Sequence, residues 1–326
     1  MIPRTRRRSR RDIAAHNDLG RDLFARMLDP TLTYSCAVFE HPGMTLEEAQ
    51  RAKLELICDR LELGPGDRLL EIGSGWGAFV LHAASTRGCH VTTTTISADQ
   101  YDHVRRAVLE TGLSEQVTVL SEDYRDLHGR YDKLVSIEMI EAVGWRNTGS
   151  FVGICSRLLE RHGAMLLQAI TIDDRAYEVE KASRSFMKER IFPGGSLPSL
   201  RSLSDDLARN TDLQLANFHD ITHHYVATLR SWRERFRSHT AELARLGYDD
   251  RFRRTWELYL AYCEAGFAER RIRDVQMLLV KPGSRLRCLG RGGDPVIASA
   301  STRGDRLGRL HPPVPALHVG EQQARW

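Results

Sequence analysis

The sequence predicts an α/β protein built on a doubly wound, mostly parallel sheet. A short apolar segment, "RLLEIG" at 68–73, runs into a glycine-rich turn and then into a helical pattern at 77–87. From there, strand-like and helix-like segments alternate along the chain. The length of 326 residues is enough for one large α/β domain with insertions.

Further strands are predicted from short apolar runs, several of them rich in β-branched residues. "HVTTTTIS" at 90–97 follows the first helix, and a second helix is predicted at 98–111. The other predicted strands are 116–123, 131–139, 164–172 and 272–283. This regular alternation of strands and helices predicts the parallel sheet.

Two amphipathic helices are predicted after an irregular region at 173–205. In 231–246 the apolar residues that recur at helical spacing are Trp232, Phe236, Leu243 and Leu246. In 252–270 the apolar stripe consists of Phe252, Trp256, Leu260, Cys263 and Phe267.

The charge distribution indicates an ordinary globular body with basic ends. Residues 1–11 carry six Arg and no acid, and residues 282–326 carry seven Arg against three acids, whereas the body between them is about −6. We expect 1–11 and 282–326 to be disordered, solvated tails, and no nucleic-acid-binding face in the body. No run approaches the roughly 18 apolar residues that a membrane span needs.

The cysteine usage argues against a metal site. Six cysteines are scattered without a C-x-x-C pair, which predicts neither a zinc site nor a disulfide framework. His223 and His224 are adjacent but lack spaced partners, so they do not predict a metal site either. The pattern favours a reducing compartment, and we expect a cytoplasmic protein with no bound metal.

The glycine-rich stretch "EIGSGWGAF" is compatible with two cofactor classes. Gly73, Gly75 and Ala78 satisfy the G-x-G-x-x-G/A fingerprint of dinucleotide sites, but the second predicted strand ends in hydroxyl residues instead of the acid that such sites need. Glu71, two residues before Gly73, completes an E-x-G-x-G-x-G arrangement that is typical of S-adenosylmethionine sites. No Gly-Lys-Ser/Thr follows, which excludes a P-loop. A purely structural turn is the remaining alternative.

Several long motifs occur in a fixed order along the chain. They are "HNDLGRDLF", "MLDPTLTYSCAVFE", "KLELICDRLELGPGDRLLEIGSGWG", "TISADQ", "EDYRDL", "SIEMIEAVG", "RIFPGGSLPSL" and "YLAYCEAGF". Together they closely resemble the cyclopropane-fatty-acyl-phospholipid synthase family, which includes the mycolic acid cyclopropane synthases. The resemblance implies a Rossmann-like class I methyltransferase domain with a seven-stranded sheet at 12–281. It also implies an N-terminal helical lid and a substrate-side helical insertion at 173–270.

The resemblance implies a reaction as well. Members of this family transfer a methyl group from S-adenosylmethionine to a cis double bond of a lipid acyl chain, and a proton is lost as a cyclopropane ring closes. Bicarbonate bound in the active site serves as the base. The implied partners are unsaturated phospholipid acyl chains, reached by peripheral contact with a membrane. Nucleic acid is not implied, and a homodimer is left open.

Position by position, the resemblance assigns cofactor binding to four segments of the chain. With Glu71, which the glycine-loop pattern itself adds, the residues are Tyr34, Ser35, Glu71, Gly73, Ser74, Gly75, Trp76, Gly77, Thr95, Ile96, Ser97, Gln100, Asp123 and Tyr124. In this assignment the hydroxyl residues after the second strand and Gln100 replace the acid that a dinucleotide site would need.

The resemblance also assigns residues to the reacting end of the site. Glu141 and Tyr225 match a bicarbonate-binding glutamate and its tyrosine partner, and Cys36 matches a position whose backbone helps to hold bicarbonate. Cys263 matches the cysteine usually designated the active-site residue, although periodicity alone would place it in the core. Glu141 forms an acidic pair with Glu138 just past a predicted strand end, where ligand sites of α/β proteins lie.

Gln168 departs from the family pattern, because it replaces a histidine that binds bicarbonate. An amide can donate a hydrogen bond to an oxyanion but cannot titrate. "SIEMIEAVG" and "LQAITI" resemble the branch that contains plant cyclopropane synthases and enzymes making 10-methylene or 10-methyl fatty acids. A methylene-branched or methyl-branched fatty acid, and C-methylation of a small natural product, therefore stay open beside the cyclopropane product. A catalytically silent binding protein would need a disrupted loop or Glu141, and both are intact.

Overall fold

The computed structural model describes residues 20–286. The chain divides into a unit at Met1–Leu289 and a second unit at Gly290–Trp326. The second unit, the basic segment 1–11 and most of the predicted tail lie outside the described residues.

Seven strands form one sheet, which confirms the predicted doubly wound, mostly parallel architecture. The strands are β1 (Arg68–Ile72), β2 (His90–Thr94), β3 (Val117–Leu120), β4 (Tyr131–Ile137), β5 (Leu159–Ile172), β6 (Gln214–Asp220) and β7 (Ile272–Val280). Their order across the sheet is β3-β2-β1-β4-β5-β7-β6. Strands β1 to β5 pair in parallel, and β7 is antiparallel to both β5 and β6.

Helices cover the sheet and continue into a layer over its carboxyl edge. They are α1 (Arg21–Met27), α2 (Leu46–Arg60), α3 (Ala78–Arg87), α4 (Ala98–Glu110), α5 (Ile140–Val143), α6 (Thr148–Leu158), α7 (Tyr177–Ala182), α8 (Leu200–Asn210), α9 (Thr222–Ser238), α10 (Thr240–Arg245) and α11 (Asp250–Ala268). None of the helices among residues 20–286 is long and apolar enough to cross a membrane.

The structure differs from the predicted secondary structure in two regions. The region 173–205, predicted to be irregular, contains α7, a π-helical turn at Met187–Ile191 and the start of α8. The Ser199 hydroxyl caps α8 by accepting from the Ser202 N–H. The helix predicted at 231–246 begins earlier, at Thr222, and is divided at His239 into α9 and α10. The first turns of α9 lack an apolar stripe because buried threonines occupy core positions.

Strand β6 has no counterpart among the predicted strands. Its residues are mostly exposed or half-buried, because β6 is the edge strand beyond β7. An edge strand that buries so little apolar surface gives little periodic signal in the sequence.

The ordered packing also continues past the predicted end of the domain at residue 281. Lys281 donates from Nζ to Ser156 Oγ (2.8 Å) and to Asp212 Oδ1 (2.5 Å). Leu286 is buried against the core beneath the sheet. Residues 282–286 are therefore described together with the domain, and the buried side chain of Leu286 anchors them.

The strand register brings polar residues of three neighbouring strands together. Ile137, the last residue of β4, lies opposite Gln168 of β5, and Gln168 lies opposite Gln276 of β7. Asp274 of β7 pairs with Ile170 of β5. Polar side chains from β5 and β7 therefore adjoin the loop that follows β4.

A helical layer of α1, α9 and α11 closes over this edge. Its core contains the buried Trp232 and Trp256. The segment between α1 and α2 is tied to α9, because the Ala37 N–H donates to Thr228 Oγ1 (3.1 Å). Thr228 in turn donates to the His224 carbonyl (2.8 Å). The chain next to Cys36 is therefore held in position by a buried hydroxyl.

Thr228→Val is expected to lower the free energy of unfolding by about 1–3 kcal/mol, because valine keeps the volume but leaves the buried Ala37 N–H without an acceptor. Urea unfolding measures the change. Thr255→Val is the matched control, since Thr255 donates to the Arg251 carbonyl (2.8 Å) in an exposed setting. The control should change stability by less than about 0.5 kcal/mol. Equal losses in the two variants would refute this role of Thr228.

Candidate active site

A cavity of about 590 Å³ lies between the carboxyl edge of the sheet and the helical layer. Most of the predicted site residues line it. Those residues are Tyr34, Ser35, Glu71, Gly73, Ser74, Gly75, Trp76, Thr95, Ile96, Gln100, Asp123, Tyr124, Glu141, Tyr225 and Cys263. The cavity wall is therefore formed by segments that are far apart in the sequence.

The glycine loop leaves an open cradle on the cavity side. Gly73, Gly75 and Gly77 have φ of +100°, +49° and +96°, a region that favours glycine. A Cβ at Gly73 would meet Met139 at 3.0 Å, and one at Gly77 would meet Val104 at 3.1 Å. A Cβ at Gly75 would meet nothing within 4 Å. Gly75 is therefore the position where a ligand can approach the backbone, which fits the cofactor expected here.

Two of the residues assigned to cofactor binding do not line the cavity. Gly77 is the N-cap residue of α3 and adopts the left-handed conformation. Ser97 is the N-cap residue of α4, and its hydroxyl accepts from the Gln100 N–H. Both residues begin helices behind the cavity wall.

Glu71 is enclosed at the end of β1. Its carboxylate accepts a hydrogen bond from Thr93 Oγ1 (2.6 Å). Burial raises the pKa of Glu71 to about 7, although the Thr93 hydroxyl and the charge of Lys53 oppose the shift. The acid that distinguishes this loop from a dinucleotide site is thus present on the cavity wall.

The segments after β2 and β3 provide the opposite side of the cofactor region. Thr95 Oγ1 donates to Gln100 Oε1 (2.8 Å), which orients the Gln100 amide. Asp123 accepts from Arg125 at both carboxylate oxygens, through Nε (2.7 Å) and through a terminal guanidinium nitrogen (2.6 Å). The Tyr124 ring packs edge-on against Phe151.

Lys53 is a site residue that the sequence analysis missed. It is fully buried on α2, lines the cavity and donates from Nζ to Ser35 Oγ (2.7 Å). Burial lowers the pKa of Lys53, and the charge of Glu138 opposes that shift. The available signal was a lysine on the helix face that also buries Leu54 and Ile57.

The carboxylate of Glu138 is the centre of the hydrogen-bond network at the reacting end. Its Oε1 accepts from the Cys36 backbone N–H (2.8 Å) and from Gln168 Nε2 (2.8 Å). Its Oε2 accepts from the Tyr225 hydroxyl (2.5 Å). Glu138 also lines the cavity, whereas Cys36 and Gln168 are fully buried and do not line it. The Glu138 side chain therefore lies between the cavity and these two residues.

A chain of amides fixes the orientation of Gln168. Gln276 Nε2 donates to Gln168 Oε1 (3.0 Å), and Arg60 donates to Gln276 Oε1 (3.2 Å). The Gln168 amide nitrogen is therefore directed to its acceptors, Glu138 and Asp274 Oδ2 (3.0 Å). Glutamine supplies two donors at one nitrogen, which a histidine ring nitrogen cannot do.

Glu141 and Asp274 are further acidic groups near Glu138. Glu141 Oε1 accepts from the Ile170 N–H (2.5 Å), and its buried Oε2 has no hydrogen-bond partner among residues 20–286. Burial, followed by the charge of Glu138, raises the pKa of Glu141 to about 8. The same two causes raise the pKa of the fully buried Asp274 well above its ordinary value. At neutral pH Glu141 therefore favours the protonated form, and the pKa of Asp274 is shifted in the same direction.

Bicarbonate does not fit this arrangement as the resemblance implied. The Cys36 N–H, the residue at position 168 and the Tyr225 hydroxyl were the groups expected to hold it beside Glu141. In the structure all three donate to Glu138. A bicarbonate ion would have to displace a side chain of the protein from its hydrogen bonds.

Cys263 is a neutral thiol on the cavity wall. Burial raises its pKa to about 12, so the thiolate that nucleophilic chemistry requires is disfavoured. Burial likewise raises the pKa of Cys36 well above its ordinary value. The contribution of Cys36 to the network is its backbone N–H.

Aromatic side chains surround the reacting end. The Tyr225 ring stacks on Phe267 with centroids 4.2 Å apart, and the Tyr34 and Tyr259 hydroxyls are 2.6 Å apart. Tyr225, Phe267, Tyr34 and Tyr259 all line the cavity. Aromatic faces stabilise cations, so this wall suits positive charge on a ligand.

Of the two adjacent histidines, His224 has a structural role. His224 Nδ1 accepts from the Phe39 N–H (3.2 Å), and burial lowers the pKa of His224 to about 4. No group of three or more candidate metal ligands was found in the described part of the chain.

Gly75→Ala is expected to raise the Kd for S-adenosylmethionine at least about tenfold, because the new Cβ occupies the cradle. Calorimetric titration measures the Kd. Gly112→Ala is the matched control, since Gly112 also has positive φ (+71°) and also faces open space, in an exposed turn after α4. Both variants should lose about 1 kcal/mol of stability from backbone strain. Unchanged affinity of Gly75→Ala would exclude the loop as the binding site.

Glu141→Gln is expected to weaken the pH dependence of folding stability. Because the pKa of Glu141 is raised in the folded state, the folded protein keeps a proton that the unfolded chain loses. The free energy of unfolding of the wild type therefore falls as the pH rises towards about 8, by a few kcal/mol from this group. Urea unfolding between pH of about 5 and 9 measures the slope.

The contributions of Glu71 and Asp274 to this slope remain in the Glu141→Gln variant. The control is Glu115→Gln, because Glu115 is exposed. It should keep the slope of the wild type. A wild-type slope in Glu141→Gln would contradict the assigned state of Glu141.

Sequence comparison identifies relatives with known activities. The family model described as mycolic acid cyclopropane synthetase matches residues 4–277. The tuberculostearic acid methyltransferase UfaA1 of Mycobacterium tuberculosis is 40% identical over 286 residues, which cover 86% of this chain and 67% of that protein. The cyclopropane-fatty-acyl-phospholipid synthase of Escherichia coli is 37% identical over 262 residues, 80% of this chain and 65% of that protein. The chain spans about two thirds of the length of these relatives.

Structure comparison leads to the same family. The cyclopropane synthase MmaA2 from Mycobacterium tuberculosis superposes with a TM-score of 0.78 at 31% identity, covering 83% of this chain and 98% of that chain. The mycolic acid cyclopropane synthase CmaA1, solved in complex with SAH and CTAB, gives the same values. The chain belongs to the mycolic acid cyclopropane synthetase family of S-adenosylmethionine-dependent methyltransferases.

Proposed function

We propose that the protein transfers a methyl group from S-adenosylmethionine to the cis double bond of an unsaturated fatty acyl chain in a phospholipid and closes a cyclopropane ring. The observation that carries this proposal is the single cavity that joins the glycine loop to an aromatic wall and to Glu138 and Glu141. An alkene is a weak nucleophile. The reaction therefore needs a dry pocket, an aligned methyl donor and a group that accepts a proton.

The residues at the cofactor end of the cavity support S-adenosylmethionine as the cofactor. The cofactor supplies an activated methyl group, and the cradle at Gly75 leaves room for it beside the loop backbone. Glu71 and Lys53 place an acid and an amine on the same wall, which suits the amino acid part of the molecule. The residues around the cradle bind and orient the cofactor.

The residues at the substrate end of the cavity favour an acyl chain over a small polar compound as the substrate. Besides the aromatic side chains, apolar residues from β5, α9 and the loop before α8 line the cavity, among them Ile170, Leu229 and Phe192. Such a wall buries hydrocarbon favourably and offers few partners to a polar natural product. We infer that the substrate enters with its hydrocarbon chain in this part of the cavity.

Two large apolar side chains of the cavity wall are also exposed to solvent. Val179 of α7 is 72% exposed and Tyr262 of α11 is 57% exposed. Exposed apolar residues that border a cavity suit contact with a lipid surface. We infer peripheral contact of this rim with a membrane that contains the substrate. A homodimer is not needed to complete the cavity.

The proposed cofactor set differs from the expectation in one respect. S-adenosylmethionine is still the proposed methyl donor. Bicarbonate takes no part in the proposed reaction, because the donors expected to bind bicarbonate donate to Glu138 instead. Cys263 takes part as a neutral wall residue and not as a nucleophile.

A methylene-branched or methyl-branched fatty acid is a second candidate product. The 40% identity to a tuberculostearic acid methyltransferase favours it. The same substrate cation yields a methylene branch when a hydride shifts from the methylated carbon to the cationic carbon before the methyl group loses a proton. A methyl branch requires, in addition, a hydride donor that reduces the methylene. The part of the reaction up to that cation is common to both.

Labelling of lipid tests the proposal. With methyl-labelled S-adenosylmethionine and vesicles of cis-monounsaturated phospholipid, we expect label in the acyl chains and a mass gain of one CH2 group. Ozonolysis distinguishes a methylene branch, which it cleaves, from a cyclopropane, which it leaves intact. A methyl-branched chain is recognised by its mass, which is two hydrogens higher than that of either. Vesicles of the saturated phospholipid are the control and should take up no label. Absence of label from the unsaturated lipid would rule the proposed function out.

A further inference from the structure

Glu138 has an unusual backbone conformation for its residue type. Its φ is +48°, in the left-handed region that favours glycine, directly after the end of β4. Its N–H donates to the Gln168 carbonyl (2.9 Å), which holds the backbone against β5. A glutamate persists in such a conformation only where the surroundings enforce it, and residues of this kind cluster at functional sites. The conformation turns the side chain into the cavity.

The hydrogen bonds of Glu138 have the arrangement of an anion-binding site. The two oxygens accept from three donors that come from separate parts of the chain: the Cys36 N–H, the Gln168 amide and the Tyr225 hydroxyl. Each donor is itself fixed, by the Ala37–Thr228 hydrogen bond, by Gln276 and by stacking on Phe267, respectively. The anion in this site is a side chain of the protein.

We propose that the Glu138 carboxylate is the built-in general base of this enzyme and that it takes the place of a bound bicarbonate ion. The inference rests on the proposed function, since it names the group that accepts the proton. If the base is a side chain of the protein, the reaction does not require bicarbonate from the solution.

In the proposed step, each bond that forms is matched by a bond that breaks, and the released proton has an acceptor. The π pair of the double bond bonds to the methyl carbon, and the S–C bond breaks with its pair on sulfur. One former alkene carbon is then cationic. A Glu138 oxygen takes a proton from the added methyl group, and the C–H pair closes the ring onto the cationic carbon. The proton stays on Glu138 as a carboxylic acid and passes to water when the product leaves.

The groups around Glu138 favour Glu138 as the general base over the neighbouring Glu141 and Asp274. Glu141 and Asp274 have few donors, and burial favours their protonated forms. Glu138 faces three donors, and Lys53 adds a positive charge nearby. A carboxylate with this support also stabilises the adjacent substrate cation, because opposite charges attract strongly in a dry cavity.

The test compares Glu138→Gly with Glu138→Gln in buffer freed of carbon dioxide. Glycine accepts the positive φ and opens the anion site, whereas glutamine fills the site without a basic oxygen. We expect both variants to lose at least about 100-fold in the rate of methyl transfer. Added bicarbonate or acetate should restore at least about tenfold in Glu138→Gly and nothing in Glu138→Gln. The wild-type rate should not respond to bicarbonate.

Binding of 13C-labelled bicarbonate, followed by NMR, is a readout that does not depend on activity. We expect binding by Glu138→Gly and none by the wild type or Glu138→Gln. Glu62→Gly is the matched control, because Glu62 also has positive φ (+49°) and does not line the cavity. It should keep the wild-type rate and bind no bicarbonate. Thermal unfolding and the Kd for S-adenosylmethionine show that each variant is folded.

A wild-type rate that falls when bicarbonate is removed would overturn the proposal, as would wild-type activity in Glu138→Gln. Bicarbonate binding by the wild type would overturn it too. If the wild type labels no lipid, the proposed function fails, and the binding experiment still decides which anion occupies the site.

Discussion

A carboxylate enclosed in an apolar cavity requires donors on several sides, and this requirement organises the site. Burying an unpaired charge costs several kcal/mol, so Glu138 is stable there only because three donors meet its two oxygens. These donors belong to the segment after α1, to β5 and to α9. The sheet and the helical layer must therefore be assembled before the site can exist.

The same constraint explains the surroundings of the site. Gln168 can direct its amide nitrogen to Glu138 because Gln276 and Arg60 fix its other end. Tyr225 can direct its hydroxyl because its ring stacks on Phe267. The cofactor cradle at Gly75 and the aromatic wall then lie on either side of the carboxylate, so that a methyl donor, a hydrocarbon chain and a proton acceptor can meet in one cavity.

The fold was predictable where local patterns are strong. The parallel strands bury both faces and alternate with amphipathic helices, so their apolar runs are evident. Edge strand β6 was missed because it buries little, and the start of α9 was missed because Thr222 and Thr228 occupy buried positions. Two starting signals of helices were available: the Thr45–Glu48 capping box of α2 and the Ser199 cap of α8.

The sequence by itself determined the fold class, the glycine loop and, through its resemblance to a family, the segments that line the cavity. The position of Glu138 relative to Cys36, Gln168 and Tyr225 was decided only by the tertiary structure. Residues 36, 138, 168 and 225 are separated by long stretches of chain, and no local periodicity encodes their distances. Two carboxyl groups three residues apart can differ in the donors that they face and in their burial. Packing sets both conditions, and packing separates the roles of Glu138 and Glu141.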